Sequence, residues 1–556
     1  MHTLRQQLLK IQRRLYLKNL RRISESLAPD PALDRYSREY HKYLKHYESI
    51  SSTSELIRHI VSSDIVYHGD YHPLKQSQRA VLRILREIVD KRKIILCLEM
   101  FYADDQRFID QYMQRKLTRK AFLEKINYEK KWGFRWENWK PIIDICRKNN
   151  IQIIGINSDQ SDKRNSLTAR DAYSAKIIGK LLIRNPDTLI YVVDGDYHVS
   201  PNHLPFQVEN RLNVFDMKVK RTIVYQNDAN LYWHLAHDHK EESDVLEITP
   251  DSFCILNTTP ANKLQSYLNW LEFSEDAYHP AQAGWEDLSE EAGNTTIPGL
   301  VKTICKILEL PYPEEAVENL EVYYGNHLDF MGMISQSPKL SHMLPTVQQK
   351  IKSNEGFLVE YEKEGIDSFL IYLPISSLNM AAEEATHFLN AALRGRLTRW
   401  LKPFDYFYYI AITEAIGFFG SKLINEKRKV QTRSAIRQYL GSFKHRDRAP
   451  SREEMKKINL CHLILRHRYY ENLSYQAYEF REKLNDIYRA RTRTRRALAT
   501  QLGYMLGEKL FLAVKKRKFP LKGIVKLFRE PFNEPYKAFL TYINISQRVT
   551  RRKKKR

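Results

Sequence analysis

The tetrapeptide Gly-Asp-Tyr-His occurs twice in this chain, as Gly69-Asp70-Tyr71-His72 and as Gly195-Asp196-Tyr197-His198. Each copy follows an apolar run, Ile65-Val66-Tyr67 before the first and Leu189-Ile190-Tyr191-Val192-Val193 before the second. An apolar run that closes on glycine reads as the carboxyl end of a buried strand entering a turn. In open α/β sheets, ligands gather at the carboxyl ends of strands, so two such ends can set two histidines across one cleft. The bland alternative is a pair of tight turns with both histidines on exposed loop tips.

The intervening sequence repeats the strand–helix alternation. Gln76 to Arg92 carries Val81, Leu82, Ile84, Leu85 and Ile88 at helical spacing. Lys93 to Leu98 is a second buried strand with Glu99 at its end, and Ile151 to Ile156 is a third, ending at Asn157. Between them lie helices over Asp104–Met113, around Leu117–Ile126 and over Pro141–Lys148, with Trp132, Trp136 and Trp139 clustered before the last. Arg170 to Leu182 is helical and Thr188 to Val193 is the fourth strand. Leu212–Phe215, Thr222–Tyr225 and Ser252–Leu256 read as further strands. This alternation predicts an α/β fold: a mostly parallel sheet flanked by helices on both faces.

The strand ends present His72, Glu99, Asn157 and His198. Two imidazoles and a carboxylate suit a divalent metal with open positions. The same set can serve as acid and base without a metal. Asp70 and Asp196 are candidates to fix the imidazole tautomers. Glu99 has a plainer reading as a salt-bridge partner, and Asp171, in the pair Arg170-Asp171 that opens a helix, as a cap.

The succession of Gly-x-x-His, Leu98-Glu99-Met100-Phe101, the Trp-rich segment, Gly155-Ile156-Asn157, Arg170-Asp171 and a second Gly-x-x-His followed by Pro205 resembles the ChaN-like haem-binding proteins. These belong to the superfamily that includes Tiki, TraB and the erythromycin esterases. The resemblance runs from about Asp64 to Leu268, where Leu256-Asn257-Thr258-Thr259-Pro260 and Gln265-Ser266-Tyr267-Leu268 also fit. It implies haem binding or iron uptake for ChaN-type members, metal-dependent proteolysis for Tiki-type members, and metal-free His/Glu chemistry for the esterases. It places His72, Glu99 and His198 in the shared polar set, with Asp70, Asp196, Asn157, Arg170 and Asp171 around it. Tyr71 and Tyr197 are candidates for the tyrosine that ligates haem in ChaN proteins. The chain departs from the family in lacking the usual lipoprotein signal and in carrying a long carboxyl-terminal half.

Composition bounds the rest. The 556 residues exceed what one core serves, and 43% hydrophobic with 12% aromatic residues excludes general disorder. Lysine plus arginine number 90 against 66 acidic residues, a formal charge of +24 that favours an anionic partner such as nucleic acid or acidic lipid. Five scattered cysteines, none at zinc spacing, read as reduced buried thiols and suggest the cytoplasm. Met1 to Arg22 is basic with leucines at helical spacing, an amphipathic surface helix rather than a signal peptide, and peripheral membrane association is open to it. No apolar stretch is long enough to span a bilayer.

Five segments follow. Residues 1–50 form the basic helical segment, 51–277 the α/β domain, and 278–298 a linker rich in Pro, Gly, Ser and acidic residues. Residues 299–545 form a mainly helical basic domain, and 546–556 a basic tail. Phe357–Val359 and Ser368–Leu373 flank a turn at Gly365 and read as a hairpin. Glu383 or Glu384 with His387 shares one helix face, half of a di-iron bundle signature, with Glu414 a further ligand candidate. A second Glu-x-x-His is missing, so a surface helix with a paired His and Glu is the favoured reading. Lys422 to Lys457 holds twelve Lys or Arg and four acids, expected to be a solvated face. Gly417 and Gly420, echoed by Gly503 and Gly507, suggest close helix packing. The expected function is a haem- or divalent-metal-binding protein. The alternatives are a hydrolase of the peptidase or esterase class and a basic protein that binds an anionic polymer.

Overall fold

The computed structural model describes residues 3–26, 30–158, 166–274, 296–325, 327–363, 365–375, 377–395, 401–443, 449–471 and 477–550. The expected linker falls almost wholly outside the described residues, as do Lys444, Arg446, Arg448 and the tail from Arg551. The chain divides into two compact units, Leu9–Ala277 and Tyr278–Arg556 with Met1–Leu8.

The first unit holds eight strands: β1 Ser49–Ser51, β2 Ile65–Asp70, β3 Ile94–Tyr102, β4 Gln152–Asn157, β5 Leu189–Gly195, β6 Arg221–Gln226, β7 Val245–Thr249 and β8 Ser252–Ile255. Their order is β1-β7-β8-β6-β2-β5-β3-β4. Every pairing is parallel except β1 with β7 and β7 with β8. Side chains alternate across a pleated strand, so the apolar runs split between two cores. Val66, Leu96, Leu98, Tyr191 and Val193 face one core. Ile65, Tyr67, Ile95, Cys97, Ile190 and Val192 face the other. Runs apolar at every position are what a sheet buried on both faces requires.

Two elements depart from expectation. Leu212–Phe215 is no strand. Leu204, Val208 and Leu212, four residues apart, are the buried face of helix Leu204–Asn213, and Val214 and Phe215 stand 78% and 65% exposed after it. The amino-terminal segment is also more than a surface helix. Helix Leu4–Ser26 buries Leu8, Ile11 and Leu15. Helix Pro31–Tyr43, capped by Asp30, buries Tyr36 and Tyr40.

In the second unit, β9 Leu320–Tyr324, β10 Phe357–Lys363 and β11 Ile366–Leu373 form a sheet of order β10-β11-β9. The β10–β11 hairpin turns at Gly365, whose φ of +81° suits glycine. The rest is mainly helical around one core. Helices Pro403–Ile424 and Thr492–Lys515 approach closely. A Cβ at Gly503 would lie 2.6 Å from the Ala411 carbonyl oxygen, and one at Gly507 would lie 2.6 Å from that of Ala415. No helix among the described residues is long and apolar enough to cross a membrane.

Candidate functional site

Strands β2, β5 and β3 are neighbours in the middle of the sheet, so their carboxyl ends converge. This brings His72, Glu99 and His198 together. Glu99 stands within β3, where the pairing with β4 slips its register between Leu98 and Tyr102. An irregularity of this kind re-aims side chains at a strand's end. Gly195 forms the floor. A Cβ there would meet His198, Glu99 and His72 at 3.4–3.5 Å, so any larger residue would fill the space the three side chains enclose.

Each side chain is held by a partner. His72 Nδ1 lies 2.9 Å from Asp70 Oδ2, and Asp70 also accepts from Gln78 Nε2 at 2.6 Å. The proton therefore sits on Nδ1 and leaves Nε2 turned toward Glu99 Oε2, 3.6 Å away. Glu99 accepts from the Gly195 N–H at 2.8 Å and pairs with Arg170 at 3.3 Å. His198 Nδ1 lies 2.5 Å from Asp171 Oδ1, and Asp171 accepts a second bond from the Tyr36 hydroxyl at 2.8 Å. Tyr36 packs edge-on against His198 and stacks on His203.

Two expected roles fall to other residues. Asp196 does not orient His198. Its carboxylate is tied to Lys263 Nζ at 2.6 Å, because the turn after β5 points it away from the imidazole. Asp171 is not a cap, since helix Ser166–Arg184 begins a full turn earlier. It faces inward and takes the part expected of Asp196. Asn157 sits at the end of β4, where its side-chain oxygen accepts from Ser158 N at 2.9 Å. Among the described residues no hydrogen bond joins it to the His/Glu set. Tyr71 lies under Lys263 Nζ, 4.9 Å from the ring centre, and Tyr197 packs on Tyr40. Burial, with Tyr197 and Asp196 nearby, pushes the Tyr71 phenol well above its usual range.

Asp194 belongs to the site and was missed by the sequence reading. One donor atom each from Glu99, Asp194 and His198 lies within 4.8 Å of the others. The signal was present in sequence, as the acid that ends the apolar run before Gly195. Burial and the adjacent Glu99 push the Asp194 carboxyl well above the carboxylate range. Burial would also raise Glu99, but His72, Arg170 and His198 outweigh it and hold Glu99 ionised, down to about 2. For His198, burial favours the neutral ring, while Asp171, Asp194 and Glu99 push it up to about 9. Arg170 Nη2 lies 3.1 Å from His198 Nε2. Nε2 can accept from the guanidinium only when it carries no proton, so this contact favours the neutral ring while the surrounding carboxylates favour the protonated one.

The mouth of the site is aromatic. Trp132 and Phe134 lie 4.5 and 5.2 Å from the His72 ring, Phe134 stacks on Trp270 at 4.7 Å, and Tyr267 adjoins Trp270. All four are half-buried. Trp270 Nε1 donates to Gly133 O at 3.0 Å, which ties helix Pro260–Ser274 to the Trp-rich segment. Burial together with Arg79 and Arg135 lowers Lys75, so these three cations act on one another. His68 has no part in the site. It is buried against the Tyr191 hydroxyl at 2.6 Å, and burial drives it down to about 3.

Residues 56–167 match the model of the family described as "Haem-binding uptake, Tiki superfamily, ChaN". The resemblance is confined to the amino-terminal half. Among curated proteins none matches the chain. The solved structure "Cofacial heme binding to ChaN of Campylobacter jejuni" is 13% identical, over 32% of this chain and 87% of that one, with a TM-score of 0.25.

Proposed function

We propose that the α/β unit binds haem, with His72 as the iron ligand. The observation that carries this reading is the aromatic wall of Trp132, Phe134 and Trp270 against an imidazole whose Nδ1 is held by Asp70. The residues present fit the group in three respects. A carboxylate on Nδ1 fixes the tautomer and raises the basicity of Nε2, as metal-bound histidines require. Flat aromatic side chains suit a flat macrocycle. Lys75, three residues after His72, and Arg135, next to Phe134, would with Arg79 suit the two propionates. Haem, when bound, would supply iron chemistry or simply be carried.

A bare divalent ion fits less well. Arg170 lies between Glu99 and His198, where such an ion would sit, and would have to move aside. That same arginine supports a second reading, a metal-free hydrolase in which Glu99 and His72 activate water and Arg170 steadies the developing charge. Basic helices that bind an anionic polymer are a third reading. Its support is narrowed because Lys422 and Arg428, within the basic run, are turned inward onto Glu508 and Glu383.

The test is an absorbance titration of the full chain with haem. A Soret band that forms with wild type and weakens at least about tenfold in His72→Ala is expected. A folded His72→Ala variant with an unchanged spectrum and affinity sinks the His72 assignment. Metal-free ester hydrolysis abolished by Glu99→Gln, with no haem bound, would put the hydrolase first.

A further inference from the structure

The helix Leu378–Arg394 is not the surface helix its sequence suggested. Glu383 and Glu384 are only 6% and 5% exposed, and the His387 side chain is 13% exposed. Helix Pro403–Ile424 lies against it and contributes Glu414. One donor atom each from Glu383, His387 and Glu414 lies within 4.8 Å of the other two.

The arrangement around these three is that of a ligand set with its outer partners. His387 Nδ1 faces Glu384 Oε2 at 3.4 Å, an ion-pair distance, and that carboxylate oxygen is buried with no hydrogen-bond partner among the described residues. His387 Nε2 is likewise buried with no hydrogen-bond partner among the described residues. A buried ring nitrogen with no partner is costly unless something binds it. Glu383 is held through one oxygen by Arg428 at 2.6 Å, and Glu414 accepts from Thr500 Oγ at 3.2 Å. Lys350 and Arg496 also act on Glu414. Gly417 permits the approach, because a Cβ there would lie 2.1 Å from His387 Nε2.

We infer that Glu383, His387 and Glu414 form a binding site for one divalent transition-metal ion, with Glu384 orienting His387. One imidazole and two carboxylates match the borderline ions zinc, iron(II) and cobalt(II) and the harder manganese(II), and do not suit the soft ions that prefer thiolate. Three protein ligands leave at least one position open to water. This site lies in the helical unit and does not depend on the haem reading.

Cobalt(II) added to metal-stripped full chain is the probe, since its visible absorption reports nitrogen and oxygen ligation directly. We expect one equivalent with ligand-field bands, retained in His198→Ala and lost in His387→Ala. Glu384→Gln leaves all three ligands in place and is expected to weaken binding about 10–100-fold. Wild type that binds no cobalt overturns the site. So does a folded His387→Ala protein that binds as much as wild type. If His387→Ala does not fold, an unchanged affinity in Glu384→Gln overturns it instead.

Discussion

Two buried polar clusters built from the same residue types behave in opposite ways. In the helical unit, His467 bonds Tyr408 through Nε2 at 3.0 Å and Glu471 through Nδ1 at 3.0 Å. Glu471 also accepts from Tyr542 at 2.7 Å and Ser546 at 2.9 Å and pairs with Arg468. Both nitrogens of the ring are used and the side chain is fully enclosed. In the α/β unit, His72 is hydrogen-bonded on one side only; its other nitrogen lies 3.6 Å from Glu99 Oε2, and Trp132 and Phe134 lie near the ring. A closed network in which both ring nitrogens and both carboxylate oxygens are matched stabilises a fold. An open one, with a ring nitrogen left without a hydrogen bond, keeps capacity for a ligand. The Glu383–His387–Glu414 group shares the burial of the first and the unmatched nitrogen of the second.

The largest expected effect breaks the closed cluster. Glu471→Ala strands Arg468 without its partner carboxylate and should cost about 3–5 kcal/mol in denaturant unfolding. A loss below about 1 kcal/mol would erase the contrast with the open site. The same carboxylate gives a pH dependence. Burial raises Glu471, but His467 and Arg468 outweigh it and hold it down to about 2, below the unfolded value of roughly 4.3. Its contribution is therefore present above about pH 4.3 and lost as pH falls toward 2. Thermal unfolding between pH 5 and 2 should show this fall in wild type and a shallower one in Glu471→Gln.

Gly507→Val comes next. It would drive a side chain into the Ala415 carbonyl and the Phe418 Cβ and should cost about 1–3 kcal/mol by overpacking. Gly195→Ala, by contrast, meets its neighbours only at ordinary contact distance. It should leave the unfolding midpoint nearly unchanged while weakening ligand binding. Equal destabilisation by the two would mean that the strand-end space is as tightly packed as the helix contact.

In Asp171→Asn, His198 loses its main charge partner and should titrate at least about one unit lower, worth about 1.4 kcal/mol. Proton NMR of the imidazole reads this directly. Tyr36→Phe removes one hydrogen bond to Asp171 and should cost about 0.5–1.5 kcal/mol. Its small effect would sharpen the view that Tyr36 supports the site without being required for the fold.

Much of the α/β sheet was legible because strands buried on both faces are apolar at every position and end on recognisable polar residues. β2 to β5 and the convergence of His72, Glu99 and His198 were read this way. Leu212–Phe215 misled because a short apolar run looks alike in a strand and at the end of a helix. Asp171 and Tyr36 were harder to assign, since they reach His198 from helices 27 and 162 residues away in sequence. The aromatic wall was half visible, with the Trp-rich segment apparent and Trp270 hidden in a distant helix.

The sequence by itself determined what local periodicity and strand-end chemistry encode: the alternation of strands and helices, the paired turns, the family resemblance of one region and the small residues at a helix contact. The tertiary structure decided which acid serves which histidine, that Asp196 belongs to Lys263, and that Glu383 and Glu384 are buried. These are questions of direction and distance between residues far apart in the chain. No periodicity carries them, because packing alone sets which side of a turn or helix faces inward.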